Sequence, residues 1–166
     1  MNKKIRQYIG LLFALLMYYI IHEGTHLIYA LSINTFKQIH FLGLGVQIDI
    51  YADKMTKPQL AIFCIVGSIA TMIVAYLLIL FINKICNVSS KVFKACMYYM
   101  TLAFLFIDPL YLSLLCGYFG GGDMNGISLF IPEFIARSIY GIIFIINLVV
   151  FIKIVVPKYK LSFLEK

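Results

Sequence analysis

Residues 8–33 read YIGLLFALLMYYIIHEGTHLIYALSI, an apolar run broken only by His22, Glu23 and His26. At about 1.5 Å per residue such a run covers the ~30 Å of a bilayer's hydrocarbon core, which predicts a membrane-crossing helix. Working outward, three further runs have the same character, at about 59–82, 92–118 and 134–156. In a chain of 166 residues, 63% hydrophobic and 13% charged, they leave no room for a sizeable soluble module. The expected fold class is membrane all-α. About four transmembrane helices form a single integral membrane domain over 1–166, with one short β element.

That element lies between the first two spans. Val46, Ile48 and Ile50 alternate with Gln47, Asp49 and Tyr51, the period of two of a half-buried strand. Residues 37–42 can pair with it through a turn at Gly43-Leu44-Gly45, giving a β-hairpin at about 37–51. Pro58 suits the first turn of the second helix.

The formal charge of +7 does not indicate nucleic acid, because the 14 basic residues are scattered between apolar runs rather than gathered in a patch. Their distribution reads as topology. Ten of the 14 (Lys3, Lys4, Arg6, Lys84, Lys91, Lys94, Lys153, Lys158, Lys160 and Lys166) fall on the side of the N-terminus, against Lys37, Lys54, Lys57 and Arg137 on the other. The positive-inside bias predicts a cell-membrane protein with both termini in the cytoplasm. The basic start followed by an apolar run resembles a signal peptide, but the run lacks an A-x-A-like site after a short core, so a retained span is expected. Cys64, Cys86, Cys96 and Cys116 show no C-x-x-C spacing and read as packing residues.

His22-Glu23-Gly24-Thr25-His26 is an H-E-x-x-H motif and uses two of the chain's three histidines. Imidazoles at i and i+4 share one helix face and can both reach a zinc ion, while the intervening Glu is placed beside the water that such an ion activates. Ionisable groups inside a span cost roughly 2.5–3.5 kcal/mol each on insertion scales, so three within five residues call for a compensating partner. A metal-free polar network between helices would also compensate them, but it has no need of this spacing. His40, in the hairpin, reads as a surface residue. A catalytic zinc takes a third protein ligand. The other acids are Asp49, Asp53, Asp108, Asp123, Glu133 and Glu165; Asp49 and Asp53 belong to the hairpin region and Glu165 to the tail, and Asp108 and Asp123 are the serious choices. Asp108 matches His22 in depth and stands beside Pro109, whose freed backbone groups it could also satisfy. Asp123 follows Gly120-Gly121-Gly122, which can turn the chain back toward the site.

These residues resemble the intramembrane site-2-type zinc metalloproteases, the M50 peptidase class. The likeness rests on the H-E-x-x-H element in an early span, the short β region after it, Gly67-Ser68-Ile69-Ala70-Thr71 where the family has Gly-Pro-x-x-Asn, and Gly122-Asp123-Met124-Asn125-Gly126 as its Asp-Gly ligand motif. Ser68, Thr71 and Met124 depart from the family's Pro, Asn and Gly. The resemblance implies Zn2+ held by His22, His26 and Asp123, with Glu23 as the catalytic base of peptide-bond hydrolysis. Better-known members hold the zinc nearer the cytoplasm, whereas the charge count puts it toward the outer face. The implied substrate is a membrane-embedded or membrane-associated peptide, held extended on the edge of Val46 to Tyr51, with specificity set by the spans, the hairpin or an accessory membrane partner. Gly24 and Thr25 are small enough to leave room for it. Three rival readings remain: a pseudo-protease, a zinc-binding transporter, and a zinc-dependent membrane hydrolase acting on a lipid. A transporter would show paired broken helices in two related halves. A pseudo-protease would most simply have lost Glu23, and a lipid has no backbone to pair with an edge strand.

Overall fold

The computed structural model describes residues 2–43 and 45–164; Leu44 in the hairpin turn and Glu165 and Lys166 in the tail lie outside the described residues. Four helices are long and apolar enough to cross a membrane: Lys3–Ser32, Lys57–Leu80, Lys91–Tyr118 and Glu133–Leu164. Each overlaps a run expected from the sequence, and the last extends beyond the expected end at 156.

Helix α1 (Lys3–Ser32) starts where the Asn2 side chain accepts the Lys4 N–H at 3.1 Å. Its buried residues, Gly10, Ala14, His22, His26 and Ala30, recur at multiples of four and so form one stripe. Small residues on that stripe let a neighbouring helix approach closely, and the chemistry-bearing histidines share the same buried face. After α1 the chain forms the hairpin β1 (Phe36–Leu42) and β2 (Gly45–Ile50), antiparallel, with Ile39 opposite Ile48 and a bulge between Phe36 and Gln38. Ile48 is buried and joins a core cluster with Ala30 and Phe63, which seats β2 against the helices.

Helix α2 (Lys57–Leu80) opens on a capping box between Thr56 and Gln59, with Pro58 in its first turn. A short α3 (Ile82–Cys86) leads to α4 (Lys91–Leu110), capped by the Ser90 side chain on the Phe93 N–H at 3.3 Å. Beyond Leu110 the same span continues as a π-helical turn, Tyr111–Leu115, and a 3-10 turn, Cys116–Tyr118. Gly120, Gly121 and Gly122 then take φ of 81°, 87° and 47°, a left-handed run that only glycine adopts without strain. It returns the chain toward α1 as α5 (Asp123–Ile127). Helix α6 (Glu133–Val150) passes through a second π turn into α7 (Val156–Leu164). Buried Lys94 ties α7 down by donating from Nζ to the Ser162 carbonyl at 2.7 Å, and the Ser162 hydroxyl bonds the Cys86 carbonyl at 2.9 Å.

Pro109 sits inside α4, where its missing N–H leaves the Leu105 carbonyl without its helical donor. That carbonyl is taken by fully buried Asn147 of α6, whose Nδ2 donates to it at 2.6 Å, and Asn147 Oδ1 accepts from Tyr76 of α2 at 2.7 Å. One amide therefore repairs the proline gap and joins three helices, so Asp108 is not needed for the repair the sequence reading allowed it. Asn147→Leu should lower stability by about 1–3 kcal/mol, since it strands buried polar groups. Pro109→Ala restores an N–H opposite Leu105 and should recover part of that loss, as read by thermal or denaturant unfolding in detergent of both single variants and the double variant. Equal losses with and without Pro109 would contradict this account.

Candidate metal centre

The stripe on α1 brings His22 and His26 together at its middle. Their Nε2 atoms are 3.1 Å apart, and both rings are buried. Asp123, first residue of α5, points into the same space: its Oδ2 lies 3.3 Å from His22 Nε2 and 3.6 Å from His26 Nε2. The three ligand atoms are close enough together for a single ion to be shared among them. Among the described residues, His22, His26 and Asp123 form a group able to hold a metal ion. Burial alone would push the Asp123 carboxyl up; the imidazoles of His22 and His26 beside it together outweigh that and hold the group down at about 2.

Asp108 occupies a different place. Its Oδ1 lies 3.2 Å from His22 Nδ1, the ring nitrogen facing away from the convergence point. It is 2% exposed, and it accepts the Tyr18 hydroxyl on Oδ1 and the Thr71 hydroxyl on Oδ2. Tyr18 also stacks on His22, with ring centroids 5.2 Å apart. A carboxylate held by hydroxyls from α1 and α2 thus stands within 3.2 Å of the far nitrogen of His22, where it can orient the imidazole.

Glu23 lies on the neighbouring face of α1 and lines a cavity of about 1300 Å3 together with His22, His26, Asp123 and β2. The backbone amide of Ile48 faces its carboxylate. This agrees with the strand's geometry. The Tyr51 N–H bonds back to the Thr35 carbonyl at 2.8 Å, and backbone groups alternate in direction along an extended strand, so those of Val46, Ile48 and Ile50 point away from β1. The unpaired edge of β2 therefore opens on the cavity.

Of the other polar residues weighed from the sequence, none joins this group. His40 is half-exposed on β1, with Nδ1 3.6 Å from the Asp49 carboxylate across the hairpin. Asp53 is exposed in a 3-10 turn, and Glu133 pairs with Arg137 at 3.2 Å. Cys64 lines the cavity wall and packs on Gly126, while Gly24 has open space where a side chain would be. Three contributors have roles that the sequence alone does not state. Tyr18 is an ordinary span residue until Asp108 is set beside it, and Thr71, which the sequence marks only as the end of the motif that begins at Gly67, takes its role from the same carboxylate. Gly67, the third, faces both rings: a Cβ there would lie 2.6 Å from His26 Nε2 and 2.9 Å from His22 Nε2. Gly67 and Thr71 stand one helical turn apart, a spacing that marks them as neighbours on one face of α2 without saying what the face meets.

Set beside known protein families, curated proteins and solved structures, the chain matches none of them.

Because the Gly67 position has no room for a methyl group, Gly67→Ala should displace the two imidazoles while leaving α2 helical. The expected result is at least a tenfold loss of metal affinity in titrations of the purified protein, with unchanged helical circular dichroism. Undiminished affinity would show that the rings have more freedom than the packing indicates.

Proposed function

We propose that this chain is an integral membrane zinc metalloprotease of the site-2 kind, hydrolysing peptide bonds of membrane-embedded or membrane-associated peptides. The observation that carries the reading is the convergence of His22 Nε2, His26 Nε2 and Asp123 Oδ2 beside Glu23 on a buried helix face. Asp123, rather than Asp108, is the third ligand in this reading, because its carboxylate approaches both Nε2 atoms whereas Asp108 approaches only the far side of His22.

Zinc, when bound, supplies Lewis acidity that makes water more acidic and a carbonyl more electrophilic. The chain's own residues do the rest. Glu23 takes a proton from the attacking water and returns it to the amine as the C–N bond breaks. Asp108 orients His22, and Tyr18 and Thr71 keep Asp108 from turning away. The free edge of β2 offers the backbone groups of Val46, Ile48 and Ile50 to an extended peptide, which would hold the substrate unwound along the cavity. That edge favours a peptide over a lipid substrate, and the presence of Glu23 favours an enzyme over a pseudo-protease. The four apolar helices support a membrane location, and the ten-to-four distribution of basic residues supports cytoplasmic termini.

The test is metal analysis and peptide cleavage on one set of purified variants. One zinc per chain is expected in the wild type. It should be lost in His22→Ala, His26→Ala and Asp123→Ala and kept in Glu23→Gln, which should bind zinc and cleave nothing. Asp108→Asn should keep the metal with affinity or activity reduced 10–100-fold. Zinc retained in both histidine variants, or full activity in Glu23→Gln, would refute the reading.

Topology is tested separately by cysteine labelling in intact cells. Single cysteines at Lys3 and Lys158 should react only after permeabilisation, and one at Lys54 before it. The reverse pattern would put the hairpin in the cytoplasm.

A further inference from the structure

Glu23 moves the proton of the attacking water, but the negative charge that develops on the scissile carbonyl also calls for a fixed hydrogen-bond donor. The cavity wall carries several side-chain donors, among them Lys37 and Gln47 of the hairpin and a group nearer the histidines on the helices and the glycine loop. Tyr18 lines it, but its hydroxyl is held by Asp108. Asn125 lines it too, and its amide donates to the Gly120 carbonyl at 3.0 Å. Two tyrosine hydroxyls on the wall, those of Tyr19 and Tyr111, make no hydrogen bond with another described residue.

Their positions differ. Tyr19 stands one turn before Glu23 on α1, on the side of the base itself. Tyr111 is the first residue of the π-helical turn that continues the span beyond α4, three residues after Asp108, so the two share a face. Its phenol oxygen is packed so close to Gly122 that a Cβ there would lie 2.6 Å from it. Gly122 is bonded to Asp123, so the hydroxyl sits beside the metal group's loop, on an element other than the one that carries Glu23. π-helical turns recur at functional sites, and the side chain that opens this one has an unused donor.

We infer that Tyr111 is a further catalytic residue, donating its O–H to the carbonyl oxygen of the scissile peptide as that oxygen becomes negative. The inference rests on the protease reading. In the step, the water oxygen bonds to the carbonyl carbon while Glu23 takes the water proton, and the carbonyl π pair moves to oxygen, where the Tyr111 O–H stabilises it. On collapse the C=O re-forms, the C–N bond breaks and the amine leaves with the proton from Glu23. Tyr111 keeps its own proton throughout.

The experiment compares zinc-loaded wild type with Tyr111→Phe, Tyr19→Phe and Glu23→Gln in detergent. One readout is cleavage of a library of quenched fluorescent apolar 20-residue peptides. The other is affinity for a phosphinic Ala–Leu analogue flanked by leucines, whose tetrahedral anion imitates the developing charge. Tyr111→Phe should keep one zinc per chain, lose about 10²–10³-fold in kcat with KM little changed, and bind the phosphinic analogue at least tenfold more weakly. Cleavage and analogue binding at wild-type levels in Tyr111→Phe would overturn the assignment to Tyr111 while Glu23→Gln, if inactive, keeps the protease reading intact. The same holds if the losses appear in Tyr19→Phe instead, or if Tyr111→Phe fails to retain zinc. A zinc-loaded wild type that neither cleaves the library nor binds the analogue would overturn both readings.

Discussion

Two imidazoles buried on one face of an apolar helix call for polar groups beside them, and the arrangement of the remaining helices reflects that requirement. His22 is met on one ring nitrogen by Asp108 from α4 and on the other by Asp123 from the loop beyond it. Asp108 in turn needs donors of its own in a site 2% exposed, and they come from α1 and α2. The polar chain running from Thr71 through Asp108 and His22 to Asp123 is thus the means by which three helices and a loop are registered on one another. Sliding α2 by a single turn, about 5.4 Å, would remove both the Thr71 hydroxyl and the space left by Gly67.

A second polar device frees the first to work. A proline within α4 creates a backbone acceptor that must be satisfied near the centre of the bundle. Asn147 supplies the donor from α6, on a part of the helix away from the histidines. Asp108, the residue immediately before the proline, is left available for His22. The kink, the π turn at Tyr111 and the glycine run then follow in sequence, so a single irregular stretch from 108 to 123 carries a carboxylate, a phenol and a second carboxylate to one side of α1.

Much of this could be read from the sequence, and the limits have a physical cause. Helix extents and the hairpin were legible because length, apolar content and a period of two are local properties. The pair His22 and His26 was legible because i, i+4 spacing fixes a shared face whatever surrounds it. Asp108 against Asp123 was not decidable from the residues alone: depth along a span places both carboxylates, but depth carries no information on which nitrogen of an imidazole each one meets. Tyr18 and Asn147 were less legible still, and Gly67 and Thr71 were marked only as the ends of a motif, with no sign of what they touch. Each matters only through a residue on another helix, and the rotation of one helix against the next is set by all the contacts between them. Three consecutive glycines before an acid were a usable signal, since a sharp reversal of the chain needs positive φ and only glycine adopts it freely.

That reversal has a bearing on how order is distributed in the molecule. Gly120, Gly121 and Gly122 restrict their own backbone less than any other residues would, so ordering this loop costs more conformational entropy per residue than ordering the helices does. Its attachment at the far end is the carboxylate of Asp123 on two imidazoles of α1. The helices give α1 its rigid face independently of the loop, and the loop takes its shape from what it can grip on that face. One half of the site thus stands on a long helix, and the other half is brought to it by a glycine tether that ends at Asp123.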